Sequence, residues 1–207
     1  MRNQRIFAIG DPHLSNTPGK SKPMHIFGED WRDHDKQIAN NWNAIGKEDD
    51  LLLIVGDISW ALKLKDALYD LEWIDKELVG FKILLQGNHD FWWPSKNKFT
   101  EIIKDYPSIR FLDSSYIIEK GVAIVGSRGW QSPGDFPSKD VFKELPNNKE
   151  FKESFTENDL RIYTKEATNL RKTFEALKNS GEIYNTLIYA QHYPAFNPAH
   201  EPSMFTD

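Results

Sequence analysis

The sequence predicts an α/β fold in which two β-sheets pack against each other and helices flank them. Three observations carry this. Short apolar runs alternate with segments of helical periodicity through the first half of the chain. A cluster of short β-rich segments then follows. Four of the apolar runs end in polar residues of the kinds that bind metals. Strands alternating with helices argue a parallel sheet, and the later strands a second sheet packed on the first.

Residues 5–10 read as a first strand, Ile6-Phe7-Ala8-Ile9 being apolar throughout. A loop with Gly, Pro and Ser runs from Leu14 to about Gly28. Trp31, His34 or Asp35, Ile38, Trp42 and Ile45 then recur at helical spacing. Leu51 to Val55 reads as a buried strand. Leu64, Leu68, Leu71, Ile74 and Leu78 mark a second amphipathic helix, and Phe81 to Leu85 a third strand. Phe99, Ile102 and Ile103 indicate a helix that stops before Pro107. Ile109–Leu112, Tyr116–Glu119 and Val122–Val125 are short strands, the last two joined through Glu119-Lys120-Gly121 as a hairpin. Ser127 to Asn158 is rich in Gly, Pro, Asn and charge and reads as a long irregular insertion that shapes a pocket. Leu160, Tyr163, Ala167, Leu170, Phe174 and Leu177 give the clearest helix, and Thr186 to Ala190 a last strand.

The 207 residues suffice for one domain with a substantial core, expected to span 1–207. The net charge of -5 and the absence of a basic block rank nucleic acid low as a partner. There is no cysteine, which excludes disulfides, thiolate metal sites and cysteine nucleophiles. The apolar stretch after Arg5 is broken by Gly10 and Asp11, too early for a signal sequence, and no segment approaches a membrane span. A cytoplasmic protein is expected. The sequence does not set an oligomeric state.

The chemistry sits at strand ends. Asp11-Pro12-His13 follows the first apolar run, Gly56-Asp57 the second, Gly87-Asn88-His89-Asp90 the third, and His192 the last. Asp11 and His13 are two apart, so in an extended segment they would share a face and reach one ion. Taken alone, Asp57 also reads as a turn residue or helix cap. The glycine of Gly87-Asn88-His89-Asp90 lets the chain turn sharply and crowd polar side chains into a small volume. Together the four ends supply carboxylate, imidazole and carboxamide groups, the donor set of a two-metal hydrolytic centre.

In these motifs the chain resembles the calcineurin-like metallophosphoesterase superfamily, whose pattern is D-x-H, G-D, G-N-H-D/E, a later H and a terminal G-H-x-H. The resemblance runs from Ile6 to Tyr193. The longer stretches Gly56-Asp57-Ile58-Ser59-Trp60, Asn88-His89-Asp90-Phe91-Trp92-Trp93 and Arg128-Gly129-Trp130 look like an uncharacterised bacterial phosphohydrolase branch of it. It implies an α/β/β/α sandwich and a dinuclear centre hydrolysing a small phosphomonoester or phosphodiester by attack of a metal-bridging hydroxide. Asp11 and His13 would hold one ion, Asn88 and His192 the other, and Asp57 would bridge them. His89 would face the phosphoryl group, with Asp90 either orienting its imidazole or capping the next helix. The mixed ligands suit Mn²⁺ best, with Fe²⁺ or Zn²⁺ as alternatives.

No G-H-x-H follows His192 before Asp207, so either the polypeptide continues into that element, which is the expectation, or a ligand pair has been lost; His200 is read as a surface residue. Around the centre, Trp60, Trp92, Trp93 and Trp130 read either as an aromatic wall for substrate or as loop packing. Arg128 reads either as a phosphate-binding cation or as a surface arginine. Two other functions are carried forward: a catalytically inactive scaffold on the same fold, and a nuclease of the same superfamily.

Overall fold

A computed structural model of the chain describes residues 4–20, 22, 24–132, 155–196 and 202–206. Four strands, β1 (Ile6–Ile9), β2 (Leu51–Val55), β3 (Phe81–Leu85) and β4 (Ile109–Leu112), form a parallel sheet in the order β1-β2-β3-β4. They are connected by α1 (His34–Ile45), α2 (Leu64–Glu77) and α3 (Lys96–Asp105). Each connection steps to the next strand in the same direction. Right-handed crossovers of that kind place all three helices on one face of the sheet. The opposite face is left for the second sheet.

That sheet holds β5 (Ser115–Glu119), β6 (Val122–Ser127) and β7 (Thr186–Gln191). β5 and β6 are the expected antiparallel hairpin, and β7 runs parallel to β6 after the crossover through α4 (Glu157–Asn179). The alternation of side chains along β2 shows how the layers are sorted. Leu52 and Ile54 pack with Trp42, Leu71 and Ile74 on the helical side, whereas Leu51 and Leu53 pack with Ile124 and Ala190 between the sheets. A third apolar layer sets Ala123 and Val125 against Tyr163, Ala167 and Leu170 of α4. The result is the α/β/β/α sandwich.

The first helix starts later than the periodicity suggests. Trp31 lies in a 3-10 turn (Glu29–Trp31), and α1 begins at His34 because Asp33 takes a left-handed backbone (φ 50°) that breaks the helix before it. Most of the Ser127–Asn158 insertion, residues 133–154, lies outside the described residues, as does His200. Among the described residues no helix is long and apolar enough to cross a membrane.

One buried charge in β3 has a measurable consequence. Lys82 is 1 % exposed, and its Nζ donates to the carbonyls of Leu78 (2.5 Å) and Asp75 (3.3 Å) at the end of α2. Burial pulls its pKa down to about 8. The unfolded chain keeps this proton up to the ordinary lysine value, so between about 8 and that value it binds more protons than the fold. Stability contributed by this group therefore rises with pH across the window, by about 3 kcal/mol. Urea unfolding at a series of pH values is expected to show this rise in the wild type and to lose it in Lys82→Met.

Candidate metal centre

The loops leaving β1 and β2 continue the parallel hydrogen bonding of the strands. Asp11 N donates to Gly56 O (3.0 Å), His13 N to Asp57 O (3.0 Å), Leu14 N to Ile58 O (2.8 Å) and Trp60 N to Leu14 O (3.0 Å). The zipped loops hold three acid or imidazole residues in the left-handed region: Asp11 (φ 54°), His13 (φ 45°) and Asp57 (φ 52°). Asp and His tolerate that region better than most residues, and strain of this kind collects at functional sites. Asp11 and His13 therefore meet through two left-handed turns rather than along an extended segment, with Asp11 Oδ1 3.8 Å from His13 Nε2.

Asp57 is the centre of the cluster. It is buried, and His13 Nε2 lies 3.8 Å and His89 Nδ1 2.6 Å from its Oδ2. Its Oδ1 accepts the His89 backbone N–H (2.8 Å) and lies 3.5 Å from His192 Nε2. Burial pushes the Asp57 carboxyl up, but hydrogen bonds from His89 and the nearby imidazoles outweigh it and hold the group below the ordinary range. Burial also lowers the His13 imidazole, keeping a neutral nitrogen available, and His13 Nδ1 is buried without a hydrogen-bond partner.

Convergence of acceptors tests whether these residues suit a cation. His192 Nδ1 can only donate to the carbonyl of Val55 (2.9 Å), which in a neutral ring leaves the Nε2 lone pair facing inward. There it meets Asn88 Oδ1 at 2.9 Å and Asp57 Oδ1 at 3.5 Å. An imidazole lone pair set against two oxygen acceptors is an arrangement that a positive ion relieves, and a ligating imidazole tied by its other nitrogen to a backbone carbonyl is the usual support for such a site. Two groups of donors lie close enough to hold a metal, His13-Asp57-His89 and Asp11-Asp57-His192, and Asp57 is common to both. The residues fit the metal. Within these groups His89 reaches Asp57 directly and Asp11 falls beside His192, while Asp11 Oδ1 and His13 Nε2 stay 3.8 Å apart and Asn88 stays beside His192.

Of the two readings of Trp92 and Trp93, their surroundings favour packing. Trp92 is 2 % exposed, and Trp93 packs against Phe99 and Phe111 in the helical core. Burying the indole between α3 and the sheet accounts for both. Trp130 donates to Asp159 Oδ1 (3.1 Å) and packs on Tyr193, one residue beyond His192. Trp60 alone of the four tryptophans stacks on a site residue, His13, with centroids 4.6 Å apart and planes at 17°. Arg128 is paired with Glu166 of α4 (3.3 Å), and its guanidinium lies over the Trp130 ring.

Asp90 neither orients His89 nor caps α3. Its buried carboxylate accepts from Ile58 N (2.9 Å), Ser59 N (3.1 Å), Gly87 N (2.7 Å) and Trp92 Nε1 (3.0 Å). It ties the β2 loop to the β3 loop and so sets Asp57 against His89. Burial pushes its pKa up to about 6 against those four donors. A parallel brace escaped the sequence reading. Asp70 of α2 is buried, accepts Asn16 N (2.7 Å) and is hydrogen-bonded by Ser59 Oγ, linking the β1 loop, the β2 loop and the helix. Its signal was present: an acid at 70 interrupts the buried stripe of Ala67, Leu71 and Ile74.

Fold and cluster together define an α/β/β/α protein with a candidate metal centre at the carboxyl ends of its parallel strands. A family model for calcineurin-like phosphoesterases matches residues 4–192, and the chain belongs to that family. It is 35% identical over 74 residues to the Gene 66 protein of Mycobacterium phage L5, a match covering 35% of each chain, so the matched part spans about a third of that relative's length. A protein of unknown function from Aquifex aeolicus is similar in structure, with a TM-score of 0.42 and 20% identity over 95% of this chain and 84% of the other.

Proposed function

We propose that the chain is a dinuclear metal-dependent phosphoesterase that hydrolyses a small phosphomonoester or phosphodiester in the cytoplasm, with Mn²⁺ as the preferred ion. The observation that carries this reading is the buried Asp57 common to two donor groups, with His192 Nε2 close to both its Oδ1 and Asn88 Oδ1. Asp11, His13, Asp57, Asn88 and His192 would hold the ions. Bound divalent ions would supply Lewis-acid polarisation of a phosphoryl oxygen and an acidified water near neutral pH.

The other tasks fall to the chain's own atoms. His89 is the most exposed of the imidazoles at the cluster, at 41%, and its Nδ1 is engaged by Asp57. A carboxylate can only accept, so Nδ1 donates and Nε2 is left as the atom that exchanges a proton with substrate. The Asp57 contact thereby orients the ring. Asp90 keeps that geometry by fixing both loops.

The test is metal content and hydrolysis measured on the same protein. Purified chain incubated with Mn²⁺ is expected to retain the ion through gel filtration and to cleave p-nitrophenyl phosphate or its bis-ester. A chain that binds no divalent ion at micromolar levels overturns the proposal and leaves the scaffold reading. His89→Ala is expected to lower kcat by about 10²- to 10⁴-fold with metal content unchanged. Loss of metal along with activity would reassign His89 as a ligand within the His13-Asp57-His89 group.

A further inference from the structure

A groove of about 360 Å³ is lined by Ser15 and Thr17 of the β1 loop and by Trp60, whose ring stacks on His13. Lys20, Lys22, Lys63 and Lys65 line it, with Asp66 the only acid among the described residues that do. Four cations against one anion leave three positive charges in excess, in a chain whose net charge is -5. Lys20 is bound to Asp66, with Nζ 2.9 Å from each carboxylate oxygen. Lys63 and Lys65 have no ion-pair partner among the described residues.

Their position is costly. Lys63 occupies the N-cap position of α2 without a side-chain capping bond and Lys65 sits in its first turn, where the helix dipole favours acids and disfavours cations. Fold stability gives no reason to keep them there. Trp60 joins the groove to the reactive centre: its ring lies 4.6 Å from His13, 5.2 Å from His89 and 4.2 Å from the ammonium of Lys22. Its indole N–H is spent on Met24 Sδ at 3.0 Å, which fixes the ring as a partition rather than a free stacking surface.

Building on the phosphoesterase reading, we propose that this groove is a substrate subsite for a second phosphate, remote from the one cleaved, so that the preferred substrates are bisphosphorylated. A dianion seated there would find the paired charge that Lys63 and Lys65 lack, in a concave site where fields of one sign add.

Two measurements on the full chain separate this from the parent reading. The first uses inorganic tripolyphosphate and metal-free protein, followed by calorimetry. Lys63→Met/Lys65→Met is expected to weaken binding about tenfold and to flatten its salt dependence. Methionine keeps the aliphatic stems and removes charge from an unfavourable place, so the variant should melt no lower than the wild type. The second compares glucose 1,6-bisphosphate with glucose 1-phosphate in Mn²⁺. The ratio of their kcat/KM values is expected to favour the bisphosphate and to fall about tenfold in the double variant. Equal tripolyphosphate binding in both proteins overturns the subsite, as does a ratio the variant leaves unchanged. Lysine-dependent tripolyphosphate binding without hydrolysis of any ester would instead overturn the phosphoesterase reading and leave the anion site standing.

Discussion

Asp57→Asn is expected to remove metal binding and hydrolysis together while leaving the fold intact. Asparagine accepts the left-handed backbone at this position, where φ is 52°, almost as readily as aspartate. Its carbonyl oxygen can still take the His89 backbone N–H that Asp57 Oδ1 accepts. What disappears is one negative charge, in a buried place ringed by His13, His89 and His192. Both donor groups contain this residue, so both fail at once. The expected loss in kcat/KM is on the order of 10³-fold, comparable with deleting a principal electrostatic contact in a transition state. Thermal unfolding gives the independent readout. Mn²⁺ should raise the melting temperature of the wild type by mass action and leave that of Asp57→Asn unmoved. A variant that still gains stability from Mn²⁺ would show that the ions do not depend on the shared carboxylate.

The layered architecture was readable because burial on both faces leaves a plain signature. Leu51-Leu52-Leu53-Ile54-Val55 is apolar without alternation, since odd and even residues face different cores. The strand ends were readable for the same reason, as Asp57, Asn88 and His192 each follow such a run. What escaped is the support around them. Asp90 sits next to His89 in sequence, which suggests a partnership, yet the turn aims its carboxylate back at the amides of Ile58, Ser59 and Gly87. Direction of that kind follows from the backbone path and leaves no trace in residue order. Trp92 and Trp93 stood open for the same reason: proximity to a site motif allowed either a wall or packing, and only the fold turns their rings into the core. The lysine groove was invisible because Lys20, Lys22, Lys63 and Lys65 come from two separate segments and form no block.

Gly87→Ala should be among the most damaging single-methyl changes available to this chain. Glycine at 87 was expected to serve a sharp turn, but its φ lies outside the left-handed range, so backbone freedom is not what the position demands. Space is. A Cβ built there lies 2.1 Å from the amide nitrogen of Asp57, 2.1 Å from its Oδ1 and 2.9 Å from its Cα. Two of these atoms are backbone, and the third, Oδ1, is held by the His89 amide at 2.8 Å. Asp57 N belongs to the zipped β2 loop, and Gly87 N is itself held by Asp90 Oδ2 at 2.7 Å. The methyl must therefore force the β2 and β3 loops apart, and with them Asp57 from His89. Overpacking of this kind costs about 1–3 kcal/mol in stability. Displacing the shared carboxylate by as little as an ångström costs about 10²-fold in rate. Gly181→Ala is the matched control, because that glycine has a positive φ of 72° and no atom within 4 Å of an added Cβ. It should lose about 1 kcal/mol of stability from backbone strain alone, with Mn²⁺ affinity unchanged. If Gly87→Ala lowered stability as little as the control and kept its metal, the two loops would have to separate more easily than their hydrogen bonds imply, and the rigidity assigned to Asp90 would be wrong.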